Sequence, residues 1–363
     1  MTPLQSFCDL TAEELSAREP PGSATHLFAA LHRVTRWPTG TDGVRRPLLG
    51  KIARAFVERN FTLALPEIIH AQHSDDAATK LLLGLADGAR VEVVHMPRAV
   101  KNPRVTLCIS SQVGCAMGCR FCQTATMGLV RNLGAAEIVG QVLAVLLALG
   151  PVDPQRVSIV FMGMGEPLHN VDAVLRAVEI LCEPAGLGLS PQRITVSTVG
   201  LVDGIATIAR ARVRPAIALS VNATTDAARA AIMPVARNNS LADLRAALLA
   251  FPLRSHEKVT LEYVLLAGTN DSQDDAAGLA AFARGIRHNV NVIPWNATAV
   301  GGFARPNHTA ISEFVAGLRA HGCLVTVRKS RGPDVAGACG QLVTQSESRF
   351  TRRARLTQAA GGQ

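Results

Sequence analysis

Two hydrophobic rhythms divide the chain. Over residues 1 to about 90 the apolar positions are irregular. TAEELSAREPPGSATHLFAALHRV reads as short helices broken at Pro20 and Pro21, and KIARAFVERN and DDAATKLLLGLA read as further helical pieces. From Val91 onward, short apolar runs rich in β-branched residues alternate with longer stretches of helical period. The runs are RVTLCIS (104–110), RVSIVFM (156–162), RITVST (193–198), RPAIALSV (214–221), VTLEYVLL (259–266), NVNVIPW (289–295) and CLVTVR (323–328). Between them lie AAEIVGQVLAVLLAL, VDAVLRAVEILC, DGIATIARA, LADLRAALLAF, DDAAGLAAFARGI and AISEFVAGLRA. Continuously apolar strands, each followed by a helix, predict a parallel sheet covered by helices. The expectation is an α/β fold, a partial (β/α)6 barrel behind a small, mostly helical accessory domain. An open doubly wound sheet satisfies the same pattern. The expected division is 1–90 for the accessory domain, 91–345 for the core and 346–363 for a basic C-terminal tail.

In either architecture the chemistry gathers beyond the C-terminal ends of the strands. The unusual residues of this chain fall there. Cys108 and a group of three cysteines follow the first run, and GMGEP (163–167) follows the second. Ser197 ends the third, Ser220 and Asn222 the fourth, and Asn296 the sixth.

The thiols define the chemistry most sharply. Eight cysteines in 363 residues do not make a disulfide framework, and Cys8, Cys182, Cys323 and Cys339 are scattered. Cys115, Cys119 and Cys122 instead crowd into one loop with the spacing C-x3-C-x2-C. Structural zinc takes four ligands, usually as two pairs, and no second pair follows. Three thiolates leave one iron of a [4Fe–4S] cluster without a protein ligand, open to a small molecule. With Phe121 directly before the last cysteine, the spacing is that of radical S-adenosylmethionine (SAM) enzymes. GMGEP would be an ordinary turn in isolation. After the cysteine triad it suits the methionine end of SAM, because glycines admit a ligand close to the backbone and Glu166 can accept from an ammonium group.

Taken together, LADGARVEVVHMP, TLCISSQVGCAMGCRFCQTA, GLVRNLGAAEIVGQV, FMGMGEPLHN, RITVSTVG, IPWN and DVAGACGQL make the chain resemble the RlmN/Cfr family of radical SAM RNA methyltransferases, from about Leu85 to Leu342. The resemblance implies two SAM molecules per turnover. One methylates Cys339, in ACGQL. The other is cleaved by the cluster, and the radical so formed takes hydrogen from that methyl group, which then adds to an adenine of RNA. Cys108 is implied as the cysteine that releases the product through a disulfide, and Glu92, in RVEVV, as the proton acceptor. Gly165, Glu166, Ser197, Ser220, Val221, Asn222 and Asn296 are implied to line SAM. An external electron donor such as flavodoxin and a monomeric state are implied too. The chain departs from the family at SVNAT, where Asn222 stands in place of a histidine, and at MPVARNNS. Asparagine still hydrogen-bonds but takes up no proton near neutral pH.

Charge and hydropathy narrow the setting. The net charge is +9, yet residues 1–100 carry 11 basic and 11 acidic side chains. From Arg328 onward seven basic residues face two acids, which suits a polyanion such as RNA and equally a solvated tail. Nearby Arg328, Lys329 and Arg331 are placed to favour the Cys339 thiolate. No uncharged apolar run reaches about 18 residues. MTPLQSFCDLTAEEL lacks the basic-then-apolar pattern of a secretory signal, so the expected location is cytoplasmic, with no membrane partner. The expected activity is methylation of adenine C2 in 23S ribosomal RNA at the peptidyl-transferase centre, with transfer RNA beside the anticodon as a further candidate. The alternatives are methylation of C8 of the same adenine, a radical enzyme acting on another substrate, and a non-enzymatic iron–sulfur protein.

Overall fold

The computed structural model describes residues 4–40, 44–98, 103–150, 152–299 and 302–344. Its centre is one ten-stranded sheet. The strands are β1 (Glu67–His73), β2 (Thr79–Gly84), β3 (Arg90–Arg98), β4 (Arg104–Cys108), β5 (Val157–Phe161), β6 (Ile194–Thr198), β7 (Ala216–Ser220), β8 (Val259–Leu265), β9 (His288–Pro294) and β10 (Val325–Val327). From β4 to β10 every neighbouring pair is parallel and the spatial order is the chain order. A doubly wound sheet reverses direction at a switch point; this one never does, so the strands wind one way as in a barrel. Six strand–helix units, from β4 to the helix after β9, give the partial (β/α)6 barrel, and β10 adds a seventh parallel strand.

The helix Ala135–Leu149 shows why one segment is apolar all round. Ten of its 15 residues are buried. One side faces the sheet; the other is covered by the N-terminal residues Phe7–Asp9 and Val34–Arg36. A helix buried on two sides loses its polar stripe. Gln141, the polar interruption in that segment, is fully buried. Its side chain accepts from the Ser110 amide (2.9 Å) and donates to the Ser110 carbonyl (3.0 Å), pairing the end of β4 as a strand would. Among the described residues no helix is long and apolar enough to cross a membrane.

The N-terminal part differs from the expectation. Helices occupy Ala12–Ser16, Ala24–His32 and Lys51–Asn60. DDAATKLLLGLA is not helical: it is a turn followed by β2. The Ser74 amide donates to the Ala78 carbonyl (2.8 Å), Ala77 takes a left-handed φ of 67°, and Leu81 and Leu83 alternate inward. Apolar residues at every second position fit a strand better than a helix. The division at residue 90 falls at the start of a strand, since β3 pairs antiparallel with β4 and carries β1 and β2 into the core sheet. The apolar residues of the N-terminal helices also merge with the main core. The tail 346–363 lies outside the described residues.

Candidate functional site

The cysteine loop leaves β4 through a short ribbon, Gln112–Gly114 paired with Leu129–Asn132. Gly114 has a φ of 74°, and a Cβ there would sit 1.9 Å from the Gly128 carbonyl oxygen, so only glycine turns this corner. The Cys115 amide then donates to that same oxygen (2.8 Å), the Arg120 amide to the Ile232 carbonyl (2.9 Å) and the Gln123 amide to the Gly340 carbonyl (2.7 Å). These bonds hold Cys115, Cys119 and Cys122 along one wall of a cavity of about 900 Å³, its open mouth included.

The donor set fits an iron–sulfur cluster. Burial pushes the Cys115 thiol up to about 12 and the Cys119 thiol well above its usual range, and neighbouring thiolates raise both further. Thiolates so placed need a cationic centre beside them. Among the described residues no three His, Cys, Asp or Glu side chains converge as for a single metal ion. Three thiols that line one cavity suit a cubane, three of whose irons each take one thiolate.

The expected SAM residues share this cavity: Gly165, Glu166, Ser197, Ser220, Asn222 and Asn296 all line it. Glu166 is 2% exposed; its carboxylate accepts from the amides of Leu168 (3.0 Å) and Val199 (2.9 Å), and burial raises its carboxyl to about 7. The glycines of GMGEP do more than admit a ligand. A Cβ at Gly163 would meet the Ile109 carbonyl oxygen at 2.6 Å, and one at Gly165, with φ of 103°, would meet Gln112 at 2.6 Å. Gln112 in turn accepts from the Glu166 amide (2.8 Å) and donates to Asn132 (2.7 Å), so it ties the cysteine loop to the SAM loop.

Asn222 has a left-handed φ of 58°. Asparagine tolerates that backbone better than most residues. Its Oδ1 accepts from the Val264 amide (2.8 Å) and its Nδ2 donates to the Met233 sulfur (3.1 Å). Val221 is buried but does not line the cavity; its carbonyl accepts from Arg229 Nε (3.0 Å), so it contributes backbone alone.

Cys339 lines the same cavity and also a second, smaller one of about 420 Å³, which Cys108 lines as well. The two cavities share Met162, Ile293, Asn296 and Cys339. The loop carrying Cys339 is tied on three sides. Asn296 Nδ2 donates to the Cys339 carbonyl (3.2 Å), Thr124 Oγ1 to the Leu342 carbonyl (2.6 Å), and the Val343 amide to Glu92 Oε2 (2.8 Å). Glu92, 4% exposed, also pairs with Lys80 (3.2 Å), and burial raises its carboxyl against the pull of Lys80. It lines neither cavity; the geometry gives it the visible task of holding the Cys339 loop.

Two residues at the site carry weak signals in sequence. Glu262 is a buried acid inside an otherwise apolar strand; it accepts from Ser197 Oγ (3.0 Å) and pairs with Arg328 (3.4 Å). That lone charge in VTLEYVLL was the available sign. Of the three basic residues near Cys339, Arg328 and Arg331 both line the thiol cavity, Arg331 with its guanidinium paired to Asp76 (2.7 Å), and Lys329 is exposed. The Cys339 thiolate, then Glu262 and Cys108, raise the Arg328 guanidinium above its usual range against the effect of burial.

A partial barrel with three cysteines beyond its first parallel strand and a glycine–glutamate loop beyond its second is the architecture of the radical SAM superfamily, and the model of that superfamily matches residues 109–280. The particular branch follows from closer relatives. The dual-specificity RNA methyltransferase RlmN of Syntrophotalea carbinolica is 44% identical over 81% of this chain and 77% of its own length. The probable dual-specificity RNA methyltransferase RlmN of Moorella thermoacetica is 42% identical over 91% of this chain and 94% of its own. The crystal structure of a radical SAM methyltransferase from Sphaerobacter thermophilus superposes with a TM-score of 0.82 at 38% identity, covering 93% of this chain and 99% of that one. The chain belongs to the RlmN family.

Proposed function

We propose that this protein methylates C2 of an adenine in 23S ribosomal RNA at the peptidyl-transferase centre, with a transfer-RNA adenine beside the anticodon as second substrate, through an S-methylated Cys339. The observation that carries this reading is the pairing of thiols: Cys339 lines both the cavity of the cluster cysteines and the cavity of Cys108. The family's dependence on SAM and a [4Fe–4S] cluster and the RNA named for its relatives support it.

Cys115, Cys119 and Cys122 would hold the cluster, which supplies the electron that splits SAM. Glu166, with Gly165 beside it, presents a carboxylate to the SAM ammonium; Ser197, Ser220, Asn222 and Asn296 line the rest. Cys339 would accept the methyl group, its thiol losing a proton and SAM leaving as S-adenosylhomocysteine, with Arg328 lining the adjoining cavity. Cys108 shares the smaller cavity; its thiolate would attack the Cys339 sulfur, so that the S–S bond forms as the bond from that sulfur to the adenine-borne methylene breaks, and the carbon takes the electron pair and then a proton. That step makes one disulfide, so each turnover ends with reduction of Cys108 and Cys339 by an external thiol. Glu92 is the proposed acceptor of the proton lost from the adenine; to reach it, its carboxylate must first leave Lys80 or the Val343 amide. An external one-electron donor of the flavodoxin type completes the scheme.

The test is mass spectrometry of protein expressed with iron and sulfide. An S-methyl group on Cys339 is expected before any RNA is added. An unmodified Cys339 in protein with an intact cluster and SAM defeats the proposal. Nucleoside analysis of the RNA product then separates C2 from C8 methylation.

A further inference from the structure

The scheme above leaves a fully buried arginine unused. Arg229, on the helix Asp226–Ile232, has no exposed surface. Its Nε donates to the Val221 carbonyl (3.0 Å) and its Nη2 to the carbonyls of Ser220 (3.2 Å) and Val199. Its Nη1 is buried and finds no partner among the described residues. A buried guanidinium normally satisfies its donors, because an unpaired one forfeits water for nothing. The direction in which the spare donor is needed is set by its surroundings. Burial lowers the Arg229 guanidinium to about 10, and the negative charges that oppose this are first Cys119 and then Asp226. The same helix carries the cysteine loop: its Ile232 carbonyl accepts from the Arg120 amide (2.9 Å), and Cys119 packs with Ile232 and Met233.

We propose that Arg229 is a positioning residue for the iron–sulfur cluster, a fixed positive charge beside Cys119 that raises the cluster's reduction potential. The proposal rests on Cys115, Cys119 and Cys122 being the cluster ligands. Reduction adds one electron, from the external donor, to a centre already held by three thiolates. A buried cation stabilises that more negative state, and hydrogen bonding to ligand sulfur acts in the same direction. A residue that merely clamped three carbonyls would stiffen the loop without making the potential depend on its charge.

Wild-type protein, Arg229→Lys and Arg229→Gln would be reconstituted anaerobically and titrated potentiometrically, with the reduced cluster read by EPR. Arg229→Gln is expected to lower the reduced-to-oxidised ratio at a fixed potential about tenfold, which for one electron is about 59 mV. Arg229→Lys, which keeps the charge and loses the fork, should fall between the two. A loaded Arg229→Gln protein at the wild-type potential overturns the proposal. Should that variant not fold, pulsed EPR of Arg120→Gln protein carrying guanidino-15N-arginine decides. Coupling of an arginine nitrogen to the reduced cluster is expected, and its absence overturns the proposal. Failure of wild-type protein to load any cluster would instead defeat the assignment of the three cysteines, and this proposal with it.

Discussion

At the scale of single residues, Arg328 is the hinge of the thiol chemistry. Its guanidinium pairs with Glu262 and lines the cavity of Cys108 and Cys339. Burial pushes the Cys108 thiol up to about 12, the Cys339 charge adds to that, and Arg328 opposes both. Arg328→Met should therefore slow alkylation of Cys108 by a neutral reagent about tenfold at pH 8, read by peptide mass spectrometry. An unchanged rate would show that Arg328 does not act on the thiol. Asn222 makes a separate prediction. Asn222→Ala leaves the half-buried Val264 amide without its side-chain acceptor and keeps a left-handed φ, so it should cost about 2–3 kcal/mol in urea unfolding. Most residues lining the candidate site were legible because rare side chains stand there at fixed spacing. Arg229 and Glu262 were not, since an arginine in DAARAAI or an acid in a strand becomes informative only once its neighbours are known.

Among elements, the hairpin β1–β2 and the segment 330–344 form one device. Asp76, in the turn between β1 and β2, accepts from Arg331 Nε (2.7 Å), the Gly332 amide (3.1 Å) and the Ala78 amide (2.9 Å). Asp334 accepts from Ser74 Oγ (2.5 Å). Asp76→Ala should loosen the loop of Cys339: faster hydrogen exchange over 332–344 and a smaller S-methylated fraction, with cluster content unchanged. Normal methylation would show that Asn296, Thr124 and Glu92 suffice. The N-terminal helices carry a different sensitivity. His32 stacks on Phe28 with centroids 3.8 Å apart and meets Phe7 edge-on, and burial lowers its pKa to about 4. Between pH 6.5 and 4 the unfolded chain binds a proton that the folded chain refuses, so stability falls as pH falls through that window. Between pH 7 and 4.5 wild-type protein should lose about 2–3 kcal/mol more than His32→Gln, measured by urea unfolding. Parallel losses would exclude His32 as the cause. The strand–helix alternation was readable from Val91 onward because buried strands are continuously apolar. No helix forms at DDAATKLLLGLA because the turn at Ser74–Ala78 sets a strand, and its six alternating residues are too few to distinguish the two periods in sequence.

For the whole molecule, sequence order could not decide between barrel and open sheet. Both place the same elements along the chain, and only spatial adjacency separates them. The charge pattern behaves similarly. Arg328 and Arg331 are engaged internally, so the net excess at the C-terminal end available for RNA rests more on Lys329 and on the arginines beyond residue 345. Replacing Arg349, Arg352, Arg353 and Arg355 by glutamine should reduce the salt dependence of RNA binding by up to about 3 units of slope, at about 0.7 for each phosphate no longer neutralised. An unchanged slope would place the RNA-binding surface elsewhere.

The three-sided tether of Cys339 has a consequence for the order in which the protein becomes competent. Synthesis runs from the N-terminus, so Asp76, Glu92, Thr124 and Asn296 all leave the ribosome before Cys339 does. Those four partners of the Cys339 loop are therefore already made when that thiol emerges. A nascent chain that ends before Arg328 holds Cys115, Cys119 and Cys122 and most of the larger cavity's lining, but lacks Cys339 and with it the proposed methyl acceptor.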